Sequence, residues 1–328
     1  MTDTLRWGIL GPGGIARRFA DSLRETPDNR LEAVASRSAG RARAFAGEFG
    51  APRAYGSYAE LAADPAVDAV YVATPHPQHA DAAILALRGG KAVLCEKPLA
   101  ANLAQGAAMV AVARAEKRVL MEGMWSRFLP VMETVRGWLT AGRIGEIRRI
   151  EADFSFRAPF NPASRLYDPA LGGGGLLDVG IYTLAFARWV MGRAPRDAAG
   201  LADVGRSGVD EQAAVILGYD TGAQALLSCG VRTRGWNGAR ITGDAGSIEL
   251  APPFYHADQA ILRVGDLEER VTRRFRPPGF QFEIAEFARC VRAGLAECPA
   301  MPLDESLEHL ARMDRLRASW GVRYPFET

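Results

Sequence analysis

The first 121 residues alternate between apolar runs typical of β-strands and stretches with the periodicity of α-helices. Leu5 to Leu10, Leu31 to Ala35, Ala69 to Ala73 and Ala92 to Cys95 are apolar runs, and helical patterns such as Ile15 to Glu25 separate them. Short apolar strands alternating with helices are typical of a parallel sheet covered by helices on both faces. The sequence therefore predicts a doubly wound α/β domain over residues 1–121.

The pattern changes after about residue 143, where strands predominate. Glu146 to Phe156, Glu211 to Tyr219 and Ala223 to Thr233 have strand patterns, and the turn Asp220-Thr221-Gly222 predicts an antiparallel hairpin between the last two. We expect a second, α+β domain over residues 122–328, built on one large, open antiparallel sheet. Two later stretches have helical periodicity and either pack on this sheet or return to the first domain: Glu283 to Ala293 and Leu303 to Ser319.

Composition excludes several classes of function. The 328 residues carry a net charge of +2 and are 48% hydrophobic, so we expect neither nucleic-acid binding nor a membrane surface as partner. We find no window of about 18 apolar residues that would span a bilayer. The four cysteines and four histidines show no metal-ligand spacing, and the first residues show no secretory signal, so we expect no metal and a reducing cytoplasm.

A glycine-rich turn joins the first predicted strand to the first predicted helix. Gly11-Pro12-Gly13-Gly14-Ile15-Ala16 has the G-x-G-x-x-A spacing of a dinucleotide-binding loop. In such a loop Gly11 permits the tight turn, Gly13 lets a pyrophosphate approach the backbone, and Gly14 and Ile15 open the helix. The alternative is a glycine-rich turn that binds no ligand.

The end of the second strand indicates which dinucleotide binds. An acidic residue there would bond the adenosine ribose of NAD, but the strand ends in Ser36 and Arg37. A hydroxyl followed by a guanidinium suits a 2′-phosphate, and Arg41 is a second candidate for this contact. We therefore expect NADP, with NAD less favoured. The alternative is a solvated surface arginine.

Two more predicted strands end in polar segments at the edge where doubly wound sheets bind ligands. Thr74 and Pro75 are candidates to line the nicotinamide ribose, and His79 is a further cofactor-binding candidate. His76 and His79 could equally cap a helix or face water. Only three of the 40 basic residues are lysines, and Lys97 follows the next strand, where a compact ammonium is available for chemistry.

Asp178 and Tyr182 follow the run Gly172 to Gly175, which we expect to be a flexible loop. Their spacing of four places them on one face of a helix, where they could form an acid/base station. The alternative is a structural role: an aspartate near a helix N-terminus favours the helix dipole, and tyrosine is often a core residue.

Together these segments resemble the Gfo/Idh/MocA oxidoreductase family along nearly the whole chain. Glu96-Lys97-Pro98 is similar to the E-K-P motif of that family. Three further segments resemble its branch of dihydrodiol and D-xylose dehydrogenases: Glu122 to Phe128, Asp168-Pro169, and Leu176 to Tyr182.

The resemblance implies a Rossmann domain, a substrate domain with an open sheet, and a homo-oligomer formed through that sheet. It also implies that Glu96 belongs to the cofactor site and that Lys97 and Tyr182 are the catalytic pair. Many relatives have D-x-x-x-H where this chain has Asp178 and Tyr182, and this departure favours the branch of the family in which a tyrosine is the proton carrier. Free tyrosine loses its proton near pH 10, and a nearby ammonium would stabilise the phenolate.

In this interpretation Asp178 orients the substrate or the tyrosine, and Trp125 and Phe154 are pocket walls. The expected reaction is hydride transfer between NADP and a hydroxyl of an aldose or a cyclic trans-diol, or reduction of a dicarbonyl sugar at the same site. Two other classes stay open: a redox-assisted, NAD-dependent glycosidase and a non-enzymatic NADP sensor.

Overall fold

The computed structural model describes residues 4–327. They form two compact units, one of residues 4–124 with 277–310 and the other of residues 125–276 with 311–327. The segment that contains the first of the two late helices thus belongs with the N-terminal unit.

The first unit contains a six-stranded parallel sheet with strand order β3-β2-β1-β4-β5-β6. The doubly wound parallel sheet is confirmed. Its central strands are almost entirely buried, which explains their continuous apolar sequence. The elements are β1 (Leu5–Leu10), α1 (Gly14–Leu23), β2 (Asn29–Ala35), α2 (Ala39–Phe49), β3 (Arg53–Tyr55), α3 (Tyr58–Ala63), β4 (Ala69–Val72), α4 (His79–Arg88), β5 (Ala92–Glu96), α5 (Leu103–Glu116) and β6 (Leu120–Gly123).

The second unit contains an eight-stranded sheet with strand order β14-β13-β12-β11-β7-β10-β9-β8. Neighbours pair antiparallel except β7 and β10, which are parallel, so the predicted large antiparallel sheet is confirmed with one parallel pair inside it. The elements are α6 (Pro130–Thr140), β7 (Ile147–Ser155), α7 (Ile181–Met191), β8 (Asp197–Val204), β9 (Asp210–Gly218), β10 (Gln224–Gly230), β11 (Ala239–Gly243), β12 (Ser247–Leu250), β13 (Gln259–Val264) and β14 (Leu267–Thr272).

The chain ends with two helices, α8 (Gln281–Arg292) and α9 (Leu303–Trp320). α8 packs inside the first unit, where Phe287 lies 5.1 Å from the ring of Trp7, and Trp7 in turn contacts Phe19 of α1. All three side chains are buried, so α8 and α1 share one core with β1. α9 contributes residues to both units.

Two features differ from the sequence expectations. β8 was not predicted, because it is an edge strand whose residues are mostly exposed and lack an apolar alternation. Among residues 4–327, the stretch Pro169–Met191 is long and apolar enough to cross a membrane by length and composition alone, although no such window was expected. Its best window is 89% buried inside the protein, as the core helix of a folded unit would be.

Candidate active site

The glycine-rich loop lies between β1 and α1. Gly11 has a φ of +86°, and a Cβ there would lie 2.9 Å from the carbonyl oxygen of Ala73, so the backbone itself requires glycine. A Cβ on Gly13 would touch little, and one on Gly14 would meet no atom within 4 Å. Open space at a helix N-terminus suits the approach of a phosphate.

The segment after β2 gathers two arginines near a tyrosine. Ser36 is buried, and its Oγ accepts a hydrogen bond of 3.2 Å from the backbone N–H of Ser38, the N-cap residue of α2. Burial raises the pKa of the Tyr58 phenol, and the charges of Arg37 and Arg41 oppose that rise, which places both guanidinium groups within electrostatic reach of the ring. Tyr58 was not predicted as a site residue, because its position at the start of α3 is a weak local signal.

His79 joins the loops that follow β4 and β5. It is fully buried, with Nδ1 2.9 Å from the carbonyl oxygen of Pro98 and Nε2 2.9 Å from that of Thr74. Burial, together with the charge of Lys97, lowers the pKa of His79 to about 4, so the ring is neutral. A neutral imidazole has one N–H, so the ring donates to one of the two carbonyl oxygens and lies against the other, and it helps to hold the two loops in place. The role of His79 in cofactor binding stays a prediction.

Thr74 offers a different feature within the same loop. Its Oγ1 is buried and has no hydrogen-bond partner among residues 4–327. Buried hydroxyls are normally satisfied, so this atom suits a polar group of a ligand. Pro75 follows it, and the neighbouring His76 contacts His79 edge to face at a centroid distance of 5.7 Å.

The E-K-P segment is held by two buried carboxyl groups. The Tyr71 hydroxyl donates to Oε1 of Glu96, whose Oε2 accepts from the backbone N–H of Lys97 at 3.2 Å. Glu122 on β6 accepts from the N–H of Leu99 at 2.9 Å. Glu96 therefore shapes the loop from inside. Glu122 was not singled out as a site residue, although an acidic residue inside an apolar strand was an available signal.

In the second unit, the indole Nε1–H of Trp125 donates to Oη of Tyr182 at 2.8 Å. Tyr182 stands in the first turn of α7, directly after a π-helical turn over Leu176–Gly180. Turns of this kind are frequent at functional sites. Donation from the indole stabilises negative charge on the phenol oxygen, which is the charge that a proton-accepting tyrosine must carry.

Aromatic rings surround this hydrogen bond. Phe154 stacks on Tyr255 at a centroid distance of 3.6 Å and lies 5.2 Å from Tyr182, while His256 lies 5.7 Å from Trp125. The structure thus brings Trp125, Phe154 and Tyr182 together as expected. Tyr255 and His256 were missed, because a short helical turn after two prolines gives no periodic signal.

Asp178 lies one turn before Tyr182 and is buried. Its Oδ1 accepts from Nη1 of Arg165 at 2.8 Å, and the Arg165 side chain is 58% exposed. Arg165 was not predicted as a site residue, since the chain contains many arginines and this one is thirteen positions away from its partner. The expected catalytic pair has one member in each unit, Lys97 in the first and Tyr182 in the second, and it stays a prediction.

Family comparisons agree with this architecture. Residues 5–124 match the oxidoreductase family with an NAD-binding Rossmann fold, and residues 132–249 match the GFO/IDH/MocA C-terminal domain. The chain belongs to the Gfo/Idh/MocA family. It is therefore an oxidoreductase with an NAD(P)-binding Rossmann domain.

Several members of the family are similar over nearly their full length. The trans-1,2-dihydrobenzene-1,2-diol dehydrogenases of Mus musculus and Homo sapiens are 38% and 36% identical, with 98% of each chain covered. Among solved structures, the aldose-aldose oxidoreductase of Caulobacter crescentus superposes with a TM-score of 0.89 at 27% identity, covering 96% of this chain and 97% of that one. KijD10, a 3-ketoreductase of Actinomadura kijaniata solved with NADP, superposes at 0.82 and 29%, covering 96% and 97%.

Proposed function

We propose that this chain is an NADP-dependent dehydrogenase that oxidises a hydroxyl group of an aldose or a cyclic trans-diol, and reduces the carbonyl in the reverse direction. The observation that carries the proposal is the hydrogen bond from Trp125 to Oη of Tyr182 inside a cluster of aromatic rings. The names of the dihydrodiol dehydrogenases and of the aldose oxidoreductase support the same class of substrate.

The residues of the first unit fit a dinucleotide. The open space at Gly13 and Gly14 receives the pyrophosphate, and the unpartnered Oγ1 of Thr74 bonds a polar group of the nucleotide. Arg37 and Arg41 bind the 2′-phosphate that distinguishes NADP from NAD. When bound, the nicotinamide exchanges a hydride at its C4 atom.

Tyr182 carries the proton. Its oxygen accepts the indole N–H, so its own proton is not used in that bond and can be exchanged with the substrate hydroxyl. The resemblance to the family assigns to Lys97 the positive charge that stabilises the phenolate when the alcohol is oxidised. In the reverse direction the tyrosine returns the proton to the alkoxide oxygen.

The aromatic side chains select the substrate. The faces of Phe154 and Trp125 suit the flat or puckered ring of a cyclic diol or a sugar, which buries apolar C–H groups against them. The Asp178 carboxylate, charged and paired with Arg165, accepts hydrogen bonds from ring hydroxyls.

We also propose that a second copy of the chain covers the exposed face of the eight-stranded sheet. Leu201 is 82% exposed, and Ile216 stands opposite Leu226 in the register of β9 and β10, with both side chains exposed. Exposed apolar residues on neighbouring strands mark an interaction surface. If the Ile216→Lys variant sediments as a smaller species than the parent, that result would support the proposed interface. The cytoplasmic location stays a prediction.

The decisive test of activity is a substrate panel with NADP⁺ or NAD⁺, containing D-xylose, D-glucose, inositols and trans-diols, followed by absorbance of the reduced nicotinamide. We expect reduction of NADP⁺ by a sugar or a diol. Tyr182→Phe should lower kcat by about 10²- to 10⁴-fold while nucleotide binding stays intact. Turnover of that variant at the parental rate would contradict the proposal.

The cofactor preference is tested separately. Arg37→Ala should raise KM for NADP⁺ far more than KM for NAD⁺, because the lost charge-assisted hydrogen bonds reach only the 2′-phosphate. Arg43→Ala is the matched control, since Arg43 is an exposed arginine on the same helix as Arg41. Equal effects of Arg37→Ala on both nucleotides would refute the assignment. Cleavage of a glycoside without net reduction of the nucleotide would instead favour the redox-assisted glycosidase. Nucleotide binding without turnover of any substrate would favour the non-enzymatic sensor.

A further inference from the structure

α8 and the segment after it bring together three side chains with metal-binding atoms. Glu286 and Cys290 are four residues apart on α8, and Cys298 comes from the segment before α9. Each sulfur lies 3.6 Å from Oε1 of Glu286, and all three donor atoms lie within 4.8 Å of one another. The sequence spacing gave no sign of this group, because the fold supplies the third member.

The distances agree with those of a tetrahedral zinc site. With Zn–S of about 2.3 Å and Zn–O of about 2.1 Å, the sulfur and oxygen ligands of a tetrahedron are separated by about 3.6 Å. Thiol hydrogen bonds to a carboxylate also have this length, so metal uptake distinguishes the two arrangements.

N–H donors are directed at both sulfurs. Nη2 of Arg289 lies 3.6 Å from Sγ of Cys290 and donates to it. Burial raises the pKa of the Cys298 thiol, and hydrogen bonds from the backbone N–H groups of Met301 and Ala300 oppose that rise. N–H donors directed at sulfur stabilise the negative charge that a thiolate carries when it binds a metal ion.

Arg289 also completes the charge balance. Its Nε and Nη2 donate to the two carboxylate oxygens of Glu286, each at 2.7 Å, and so fix the orientation of that ligand. Two thiolates and one carboxylate carry three negative charges, which a divalent cation and the Arg289 guanidinium together neutralise. Both sulfurs are fully buried, and Glu286 is partly exposed, which leaves an approach for the ion.

We propose that Glu286, Cys290 and Cys298 bind a thiophilic divalent cation such as Zn²⁺, with a water molecule as the fourth ligand. The ion fastens the segment before α9 to α8. Each thiol donates to Glu286 in the metal-free chain, and the two thiol protons are released to solvent as the two S–metal bonds form.

Titration of the reduced, chelator-stripped full chain with Co²⁺ tests the site, because thiolate coordination to Co²⁺ produces charge-transfer absorption in the near ultraviolet. We expect saturation at one equivalent, displacement by Zn²⁺, and a higher melting temperature with Zn²⁺. Cys298→Ser and Cys290→Ser should abolish the absorption. Cys229→Ser, which alters a buried cysteine of the other unit, should leave it unchanged.

The parental titration alone can overturn the proposal, so the result does not depend on whether a variant folds. Absence of stoichiometric absorption in the reduced parent would refute the site, as would absorption that persists in a folded Cys298→Ser variant. A disulfide between Cys290 and Cys298 that forms in air, together with no metal uptake after reduction, would identify a redox pair and also refute it. Glu286→Gln should weaken Co²⁺ binding by at least about tenfold.

Discussion

Two glycine-rich segments of similar composition have opposite surroundings. Gly13 and Gly14 in the first unit are exposed, and an added methyl group would meet almost nothing. The run Gly172–Gly175 in the second unit is mostly buried, and a Cβ on Gly174 would lie 2.3 Å from Oδ1 of Asp210. The expected flexible loop is therefore packed.

The difference shows that glycine serves two separate purposes here. In the first segment the missing side chains leave space for a ligand. In the second they leave space for the protein itself: the Asp210 carboxylate enters the turn and accepts the backbone N–H of Leu176 at 2.6 Å. A substitution in the first segment should affect nucleotide binding, and one in the second should affect stability.

The largest effect is expected for Gly174→Ala. Gly174 has a φ of +119°, a backbone conformation that residues other than glycine adopt only with strain. The new methyl group would also clash with Asp210. We expect a loss of about 3 kcal/mol or more in the free energy of unfolding. Denaturant titration measures it. Gly192→Ala is the control, since Gly192 has a φ of +64° with open space around it and should lose only about 1 kcal/mol. Equal losses in the two variants would mean that packing against Asp210 is unimportant.

A second, pH-dependent effect is expected for Asp210→Asn. Burial raises the pKa of Asp210 to about 7 in the folded protein, above its ordinary value. A carboxyl group whose pKa is raised by folding makes its full contribution to the free energy of unfolding below about pH 4. That contribution is lost as the pH rises to about 7. The amide that replaces the carboxyl group does not titrate, so the stability of the variant relative to the parent should rise by about 2–3 kcal/mol between pH 5 and pH 8. Denaturant titrations across this pH range measure the difference, and parallel stability curves for the two proteins would show that Asp210 does not titrate there.

The smallest effect on free energy is expected for Gly14→Ala. The added methyl group meets no protein atom, so the stability should change by no more than about 0.5 kcal/mol. It would occupy the space into which the nucleotide phosphates fit, and we expect NADP⁺ binding to weaken by about tenfold, or about 1.4 kcal/mol. Calorimetry measures this. Gly47→Ala on α2 also has open space and should leave binding unchanged. If Gly14→Ala binds NADP⁺ as tightly as the parent does, the first glycine segment does not leave space for the nucleotide, and the contrast with Gly172–Gly175 is wrong.

Much of the fold could be predicted because its signals are local. The alternation of apolar runs and helical patterns predicted the parallel sheet, and the Asp220–Gly222 turn predicted the antiparallel pairing of β9 with β10. The parallel pairing of β7 with β10 could not be predicted, since the two strands are distant in sequence and either direction satisfies their side-chain alternation.

Some features of the candidate site could likewise be predicted from the sequence, and others could not. Trp125, Phe154 and Tyr182 were predicted through the family resemblance, and the structure places them together. His79 was predicted to bind the cofactor, which stays a prediction, and its burial between two backbone carbonyl oxygens was not predicted. Burial depends on every element packed around a residue, and no short motif contains that information.

The sequence by itself determined the alternation of strands and helices in the first unit, the glycine turn after β1 and the residue types at the ends of β2, β4 and β5. These features depend on backbone preference and local spacing, which a short segment encodes. Only the tertiary structure decided that one glycine run encloses the Asp210 carboxylate and that Cys290 and Cys298 meet at Glu286. Such contacts join groups from separate segments, and their energies depend on desolvation, which exists only after the chain has folded.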